Sequence, residues 1–266
     1  MANDRETYEV YALRYGGTDL QKGSRYHRYS IYNEPDQTVS MDFMFWMARN
    51  QNRTVLVDCG FDDVRTAQRG YLQDVHPVEL LSRLDARPED VTDVVISHMH
   101  FDHVGNTDLF PNATFHVARE ELEFWTGPYG QNEHIGVAGD PIEIQKVADL
   151  YKEGRVNLVE KSAQILPGIT TTTVRGHTAG SLVTDVSTAG GQMIFASDTI
   201  HWYEEMEKDR PFWLFCDLEG MLKGYDLLRT LGARPDSTII AGHDPLVMSS
   251  YEAVADAVVD LGRPTA

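Results

Sequence analysis

The stretch Ser97-His98-Met99-His100-Phe101-Asp102-His103-Val104 constrains this chain more than any other. Three of its ten histidines and one aspartate crowd together directly after the β-branched run Val94-Val95-Ile96. A short apolar run of that kind reads as a buried strand, so the cluster sits where a strand ends and the chain turns. His98 and His100 fall on one side of an extended segment, because side chains alternate with period two. Asp102 and His103, just past the turn, can reach a second point a few ångströms away. Imidazole suits zinc and iron, and carboxylate suits harder cations, so this segment offers half the donors of a two-metal site. A lone buried histidine is more often a hydrogen-bonded core residue than a ligand. Four ligand-type side chains in an H-x-H-x-D-H pattern at a strand end favour metal.

Three later positions repeat that context. His177, Asp198 and His243 each follow a β-like run, in the turns Arg-Gly-His, Ala-Ser-Asp and Ala-Gly-His. Taken singly, each reads as an ordinary turn residue. Together with the first cluster they make five histidines and two aspartates. That is the number two adjacent metals need if one carboxylate is shared, and rigid strand ends are where such side chains can be held.

Between these points the chain alternates strand-like and helix-like segments, with no repeat or interdomain linker, so a single domain over residues 1–266 is expected. A strand is predicted over 8–13 and an irregular polar arm over 15–36. A hairpin joins 39–48 to 54–57, and further strands fall at 94–96, 114–117, 156–159, 169–174, 182–186, 193–196 and 238–241. Helices are predicted at 77–84, 119–125, 142–151, 218–231 and, at the end, 251–261. Residues 126–140 are Gly-rich and aperiodic, with a length typical of functional lids.

A hydrophobic fraction of 42% marks a folded chain, and a formal charge of −18 disfavours nucleic acid or an anionic membrane as partner. Two distant cysteines, Cys59 and Cys216, form no disulfide framework. With a polar N-terminus and no apolar span, they lead to the expectation of a cytoplasmic protein.

The H-x-H-x-D-H stretch, Gly-His177-Thr, Ser-Asp198 and Gly-His243-Asp, in this order, resemble the metallo-β-lactamase superfamily. Within it the chain is similar to the N-acyl homoserine lactonase branch, over about residues 39–243. The resemblance implies an α/β fold, an αββα sandwich of two mixed β-sheets flanked by helices. It implies two divalent metal ions, zinc first among them. His98, His100 and His177 would hold one, Asp102, His103 and His243 the other, and Asp198 would bridge them. Asp58 would support the ligands from behind, Asp102 would also shuttle a proton, and Phe101 would line the substrate pocket. The implied reaction is hydrolytic opening of a lactone by a hydroxide bridging the metals.

The chain departs from that branch in two places. The tyrosine that holds the substrate carbonyl, three residues after the bridging aspartate, is replaced by His201, with Tyr203 nearby. Either His201 acts on the substrate in its place or it is a surface histidine. Where relatives have small residues, this chain carries Pro211-Phe212-Trp213-Leu214-Phe215. That bulk favours a compact or aromatic lactone, as in the related 4-pyridoxolactonases, with Trp213, Trp46 and Trp125 as candidate walls. An ester or amide substrate stays open, as does a homodimer. Nucleases of the superfamily need an inserted domain and a basic surface, and neither is present. A non-catalytic metal-binding protein would have no need of both Asp102 and Asp198.

Overall fold

In the computed structural model, which describes residues 6–265, alternation along one long strand accounts for the layering. On Thr38–Arg49, Phe43, Phe45 and Met47 point to one apolar cluster, and Met44, Trp46 and Ala48 to another. Both faces of this strand are therefore buried, and layers must lie above and below it.

In chain order the strands are β1 (Glu9–Gln21), β2 (Thr38–Arg49), β3 (Thr54–Val57), β4 (Asp93–Val95), β5 (Thr114–Ala118), β6 (Val156–Val159) and β7 (Ser162–Leu166). They continue with β8 (Ile169–Val174), β9 (Ser181–Thr188), β10 (Gly191–Ser197), β11 (Ser237–Ala241), β12 (Tyr251–Ala255) and β13 (Val258–Pro264). One sheet has the order β12-β13-β1-β2-β3-β4-β5-β6, and the second β11-β10-β9-β8-β7. Both are mixed: β3 through β6 run parallel, as do β10 and β11, and the other pairs are antiparallel.

Three cores separate four layers. Between the sheets, Trp46, Val57 and Val95 meet Leu182, Phe195 and Ile240. Outside the large sheet, Leu80, Leu122, Trp125 and Val147 come from helices Pro77–Ser82, Arg119–Thr126 and Pro141–Lys152. Outside the small sheet, Met221, Tyr225 and Leu228 come from helix Leu218–Gly232. This is the expected αββα sandwich.

Two expectations fail. Residues 251–261 form the β12–β13 hairpin, not a helix, turning at Ala257 with a φ of 55°. The reason is tertiary. β13 pairs with the outer edge of β1, and Val258 and Val259 drop into the cores on opposite faces of the sheet. The arm expected to be irregular from residue 15 is instead a continuation of β1 to Gln21, paired along β2 with a bulge between Arg14 and Gly16. The strand β7 and the helix Tyr203–Lys208 had no visible sequence signal. Of the polar N-terminal stretch, residues 1–5 lie outside the described residues. Among the described residues no helix is long and apolar enough to cross a membrane.

Candidate metal centre

The carboxyl ends of β4, β8, β10 and β11 come together on one rim of the sandwich. Parallel strands end there with their loops facing the same crevice, the usual place for a ligand in sheets of this kind. Leu182 N–H donates to the Ser97 carbonyl (2.7 Å), and the hydroxyls of Ser97 and Ser197 meet at 2.7 Å, so the two sheets are tied beside the cluster. Gly242 is required by its neighbours: a Cβ there would lie 2.8 Å from Asp198 Oδ1. Its absence lets the carboxylate lie against the β11 turn.

Donor atoms of His98, His100, His177 and Asp198 lie within 4.8 Å of one another, and so do those of Asp102, His103 and His243. Asp198 stands between the two groups. Its Oδ2 is 3.2 Å from His177 Nε2 and 3.7 Å from His98 Nε2, while Oδ1 is 3.0 Å from His243 Nε2 and 3.4 Å from His103 Nε2. One oxygen faces each group.

The donor set passes a simple test of fit. His98 Nε2, His103 Nε2, His243 Nε2 and Asp198 Oδ1 are sealed from solvent, and none has a hydrogen-bond partner. A buried polar atom left so costs about 1–3 kcal/mol, and four at one point is an arrangement that cations satisfy. Burial pushes the His98 and His100 imidazoles well below their ordinary range and lowers His177, which keeps them neutral and able to ligate. His103 goes the other way: against its burial, the carboxylates of Asp198, Asp102 and Asp58 raise it.

The opposite ring nitrogens are held from behind. His103 Nδ1 meets Asp58 Oδ2 at 2.8 Å, His243 Nδ1 the Asp42 carbonyl at 2.7 Å, and His177 Nδ1 the Leu214 carbonyl at 3.0 Å. Such partners fix ring orientation and tautomer. Asp58 also accepts from the Ser97 backbone N–H and hydroxyl, and reaches them with a φ of 66° that turns the chain out of β3. Two further supports carry no mark in the sequence. Glu121 accepts from the backbone N–H groups of Met99 and Gly180 and from Trp125 Nε1, joining both histidine loops. The Tyr15 hydroxyl donates to the Asp102 carbonyl at 2.6 Å.

A cavity of about 300 Å³ opens onto the cluster, lined by His100, Asp102, His177, Asp198 and His201 at its floor. Phe101 and Trp213 are on its walls, and Trp213 is 41% exposed. Phe43 and Val137, the latter from the segment 126–140, line it too. Arg69 donates to the carbonyls of Val137 and Gly139, which fastens that segment beside Phe101.

His201 is not a surface residue. It is 1% exposed, stacked on Phe212 at 3.6 Å, with Nε2 3.0 Å from Asp198 Oδ2 and Nδ1 3.2 Å from Glu205 Oε1. Burial alone would lower it, but the two carboxylates outweigh that and raise it to about 9.

Three other candidates are elsewhere. Trp46 is fully buried between the sheets against Phe195 (5.4 Å), because its parity on β2 turns it away from the rim. Tyr203 opens the helix Tyr203–Lys208 and sends its hydroxyl to the Ile239 carbonyl at 3.1 Å, away from the cavity. Trp125 backs the His100 ring at 5.5 Å from a second recess rather than lining the cavity.

A sequence model of the Metallo-beta-lactamase superfamily matches residues 44–264. An N-acyl homoserine lactonase from a Bacillus species is 22% identical over 226 residues, covering 79% of this chain and 84% of the relative. The N-acyl homoserine lactonase AttM of Azorhizobium caulinodans is 28% identical over 186 residues, 66% of each chain. Among solved structures, an N-acyl homoserine lactone hydrolase with the product N-hexanoyl-L-homoserine bound at its metal centre superposes with a TM-score of 0.73. It is 20% identical and covers 93% of this chain and 98% of its own. AidC, a dizinc quorum-quenching lactonase, gives 0.69 at 17% identity, over 91% and 92%. At these identities the structures establish a shared fold.

Proposed function

The chain belongs to the metallo-beta-lactamase superfamily, and from that premise we propose that it is a metal-dependent hydrolase that opens a lactone ring, like the N-acyl homoserine lactonases it resembles. The observation that carries the reading is Asp198, with one oxygen toward each of two groups of buried ligand-type side chains, three of whose imidazole nitrogens have no hydrogen-bond partner, at the floor of a cavity sized for a small molecule.

His98, His100 and His177 would hold one cation, Asp102, His103 and His243 the other, with Asp198 shared. Two divalent cations held there supply an ionised water nucleophile at neutral pH and Lewis-acid polarisation of the carbonyl. In the reaction water adds across the acyl carbon, the ring C–O bond breaks, and the departing alkoxide takes a proton. Asp102 lines the cavity beside this point and moves that proton through its carboxylate. Asp58, bonded to His103 Nδ1, keeps Nε2 turned to the cluster. With Asp198 holding a cation, His201 Nε2 would be free to hold a substrate oxygen, with the Glu205 carboxylate 3.2 Å from Nδ1 favouring its charged form. Phe212 stacks on that ring and, with Trp213 and Phe101, excludes water from the acyl carbon.

Zinc is the metal that an imidazole-rich set with one shared carboxylate suits. The free thiols of Cys59 and Cys216 support a reducing, cytoplasmic location. The restricted, aromatic cavity favours a compact or aryl lactone over one with a long acyl chain. Proton release from a panel of acyl homoserine lactones of varied length, γ- and δ-lactones, aryl lactones and linear esters tests the reading. Turnover of short or aryl lactones is expected; linear esters hydrolysed while every lactone is inert would defeat it.

A further inference from the structure

Two guanidiniums of the cavity, those of Arg25 and Arg69, have no counter-ion among the described residues, and that of Arg25 has no hydrogen-bond partner either. Arg25 lines the wall beside Trp213, with its guanidinium carbon 6.0 Å from the indole centroid. Its Nε is sealed from water without a hydrogen-bond partner, and among the described residues no ion pair or hydrogen bond engages the guanidinium. That is unusual in a chain with 41 acidic side chains and a net charge of −18. Arg14 contacts Asp42 and Asp74, Arg65 contacts Asp62, Asp140 and Glu143, and Arg210 contacts Glu34 and Glu204.

The backbone around Arg25 is fixed. Trp213 N–H donates to the Arg25 carbonyl and His27 N–H to the Pro211 carbonyl, both at 2.8 Å, with Tyr26 and Phe212 bridged between them. The same short ladder carries Phe212, which stacks on His201. A row of rings therefore leads from the metal ligands through His201, Phe212 and Trp213, and Arg25 stands at its far end. The second guanidinium of the cavity, Arg69, spends its donors on carbonyls and also lacks a carboxylate. The acids of the lining, Asp102 and Asp198, belong to the ligand cluster. The outer cavity is thus locally cationic within an acidic protein, which concentrates anions there.

We propose that Arg25 is a specificity-determining residue that receives a carboxylate carried by the substrate at the end remote from its lactone ring. The inference rests on the lactone reading above and narrows it to acidic lactones whose arm lies along the Phe212–Trp213 wall. A planar guanidinium that no carboxylate of the protein engages matches a substrate carboxylate bidentately. A neutral arm of equal length leaves that guanidinium without a counter-ion.

Two measurements on the metal-loaded protein test it, each with wild type, Arg25→Gln and Arg25→Lys. The first uses ligands with no lactone: 4-phenylbutyrate against 4-phenylbutyramide, by titration calorimetry. The carboxylate should bind wild type about 10-fold more tightly, the scale of one charge-assisted contact. The preference should vanish in Arg25→Gln and survive in part in Arg25→Lys. Equal affinity in wild type overturns the proposal. So does a preference that persists in Arg25→Gln, since the metal cluster would then be the anion site. The second compares kcat/KM for homoserine lactone acylated with adipic acid, its far carboxyl free, against hexanoyl homoserine lactone. A ratio of about 10 or more should collapse toward one in Arg25→Gln. An equal loss on both substrates overturns the proposal. If both lactones are inert while the calorimetric preference depends on Arg25, the lactone reading fails and the carboxylate site stands.

Discussion

Two buried histidines in this protein each lean on a buried aspartate, and they have opposite fates. His116, on β5 inside the large sheet, meets Asp93 Oδ1 at 2.9 Å through Nε2 and Asn157 at 3.0 Å through Nδ1. Both nitrogens are satisfied and the triad knits three strands. His103, at the rim, meets Asp58 at 2.8 Å through Nδ1, but its Nε2 has no partner. A histidine–carboxylate pair is therefore no sign of a metal site by itself. The sign is the second nitrogen, left empty and aimed at other empty donors.

The comparison would break most visibly at Asp102, which has no counterpart beside His116. Asp102→Asn should lower turnover roughly 10²–10⁴-fold, while elemental analysis still finds about two metals per chain. Near-normal turnover would remove the proton-transfer role. His201→Ala comes next, with an expected loss of about 1.5–4 kcal/mol in kcat/KM, the scale of one donor to a reacting oxygen. A loss under threefold would leave His201 as packing for Phe212.

The two aspartates themselves give the sharpest contrast. Asp58→Asn keeps a residue that tolerates the positive φ but weakens the hold on His103, so metal affinity should fall roughly 10–100-fold in a competitive chelator titration. Asp93→Ala should leave metal affinity untouched and cost about 1–3 kcal/mol in urea unfolding. If Asp93→Ala loosened metal as much as Asp58→Asn, the distinction drawn here would be wrong. The smallest effect is expected at Tyr203. Its hydroxyl serves the Ile239 carbonyl, so Tyr203→Phe should cost about 1 kcal/mol of stability and leave kcat/KM within about twofold. A larger kinetic loss would return Tyr203 to the substrate.

Most of the candidate metal site was legible because ligand chemistry is local. The H-x-H-x-D-H segment carries its meaning in its own spacing, and His177, Asp198 and His243 share the mark of a strand ending in a small-residue turn. The walls were harder. Trp46, Trp125, Trp213 and Tyr203 are the same kind of residue to a reader of sequence, and only one of the four reaches the cavity. For Trp46 the difference is strand parity together with position along β2, Phe43 lining the cavity while Trp46, three residues on, faces Phe195 between the sheets.

The sequence by itself determined the candidate donor set, the strand-end positions of those donors, and the presence of His201 three residues after Asp198. These depend on residue type and on neighbours a few positions away. Tertiary structure decided what depends on segments far apart. Residues 251–261 alternate small apolar and acidic side chains in a way that suits helix or strand, and the open edge of β1 made them a hairpin. Arg25 looks like any surface arginine until the 22–27 and 211–213 segments pair and enclose its Nε. A hydrogen-bond partner, or the lack of one, is a property of assembled space, and no local pattern in the chain encodes it.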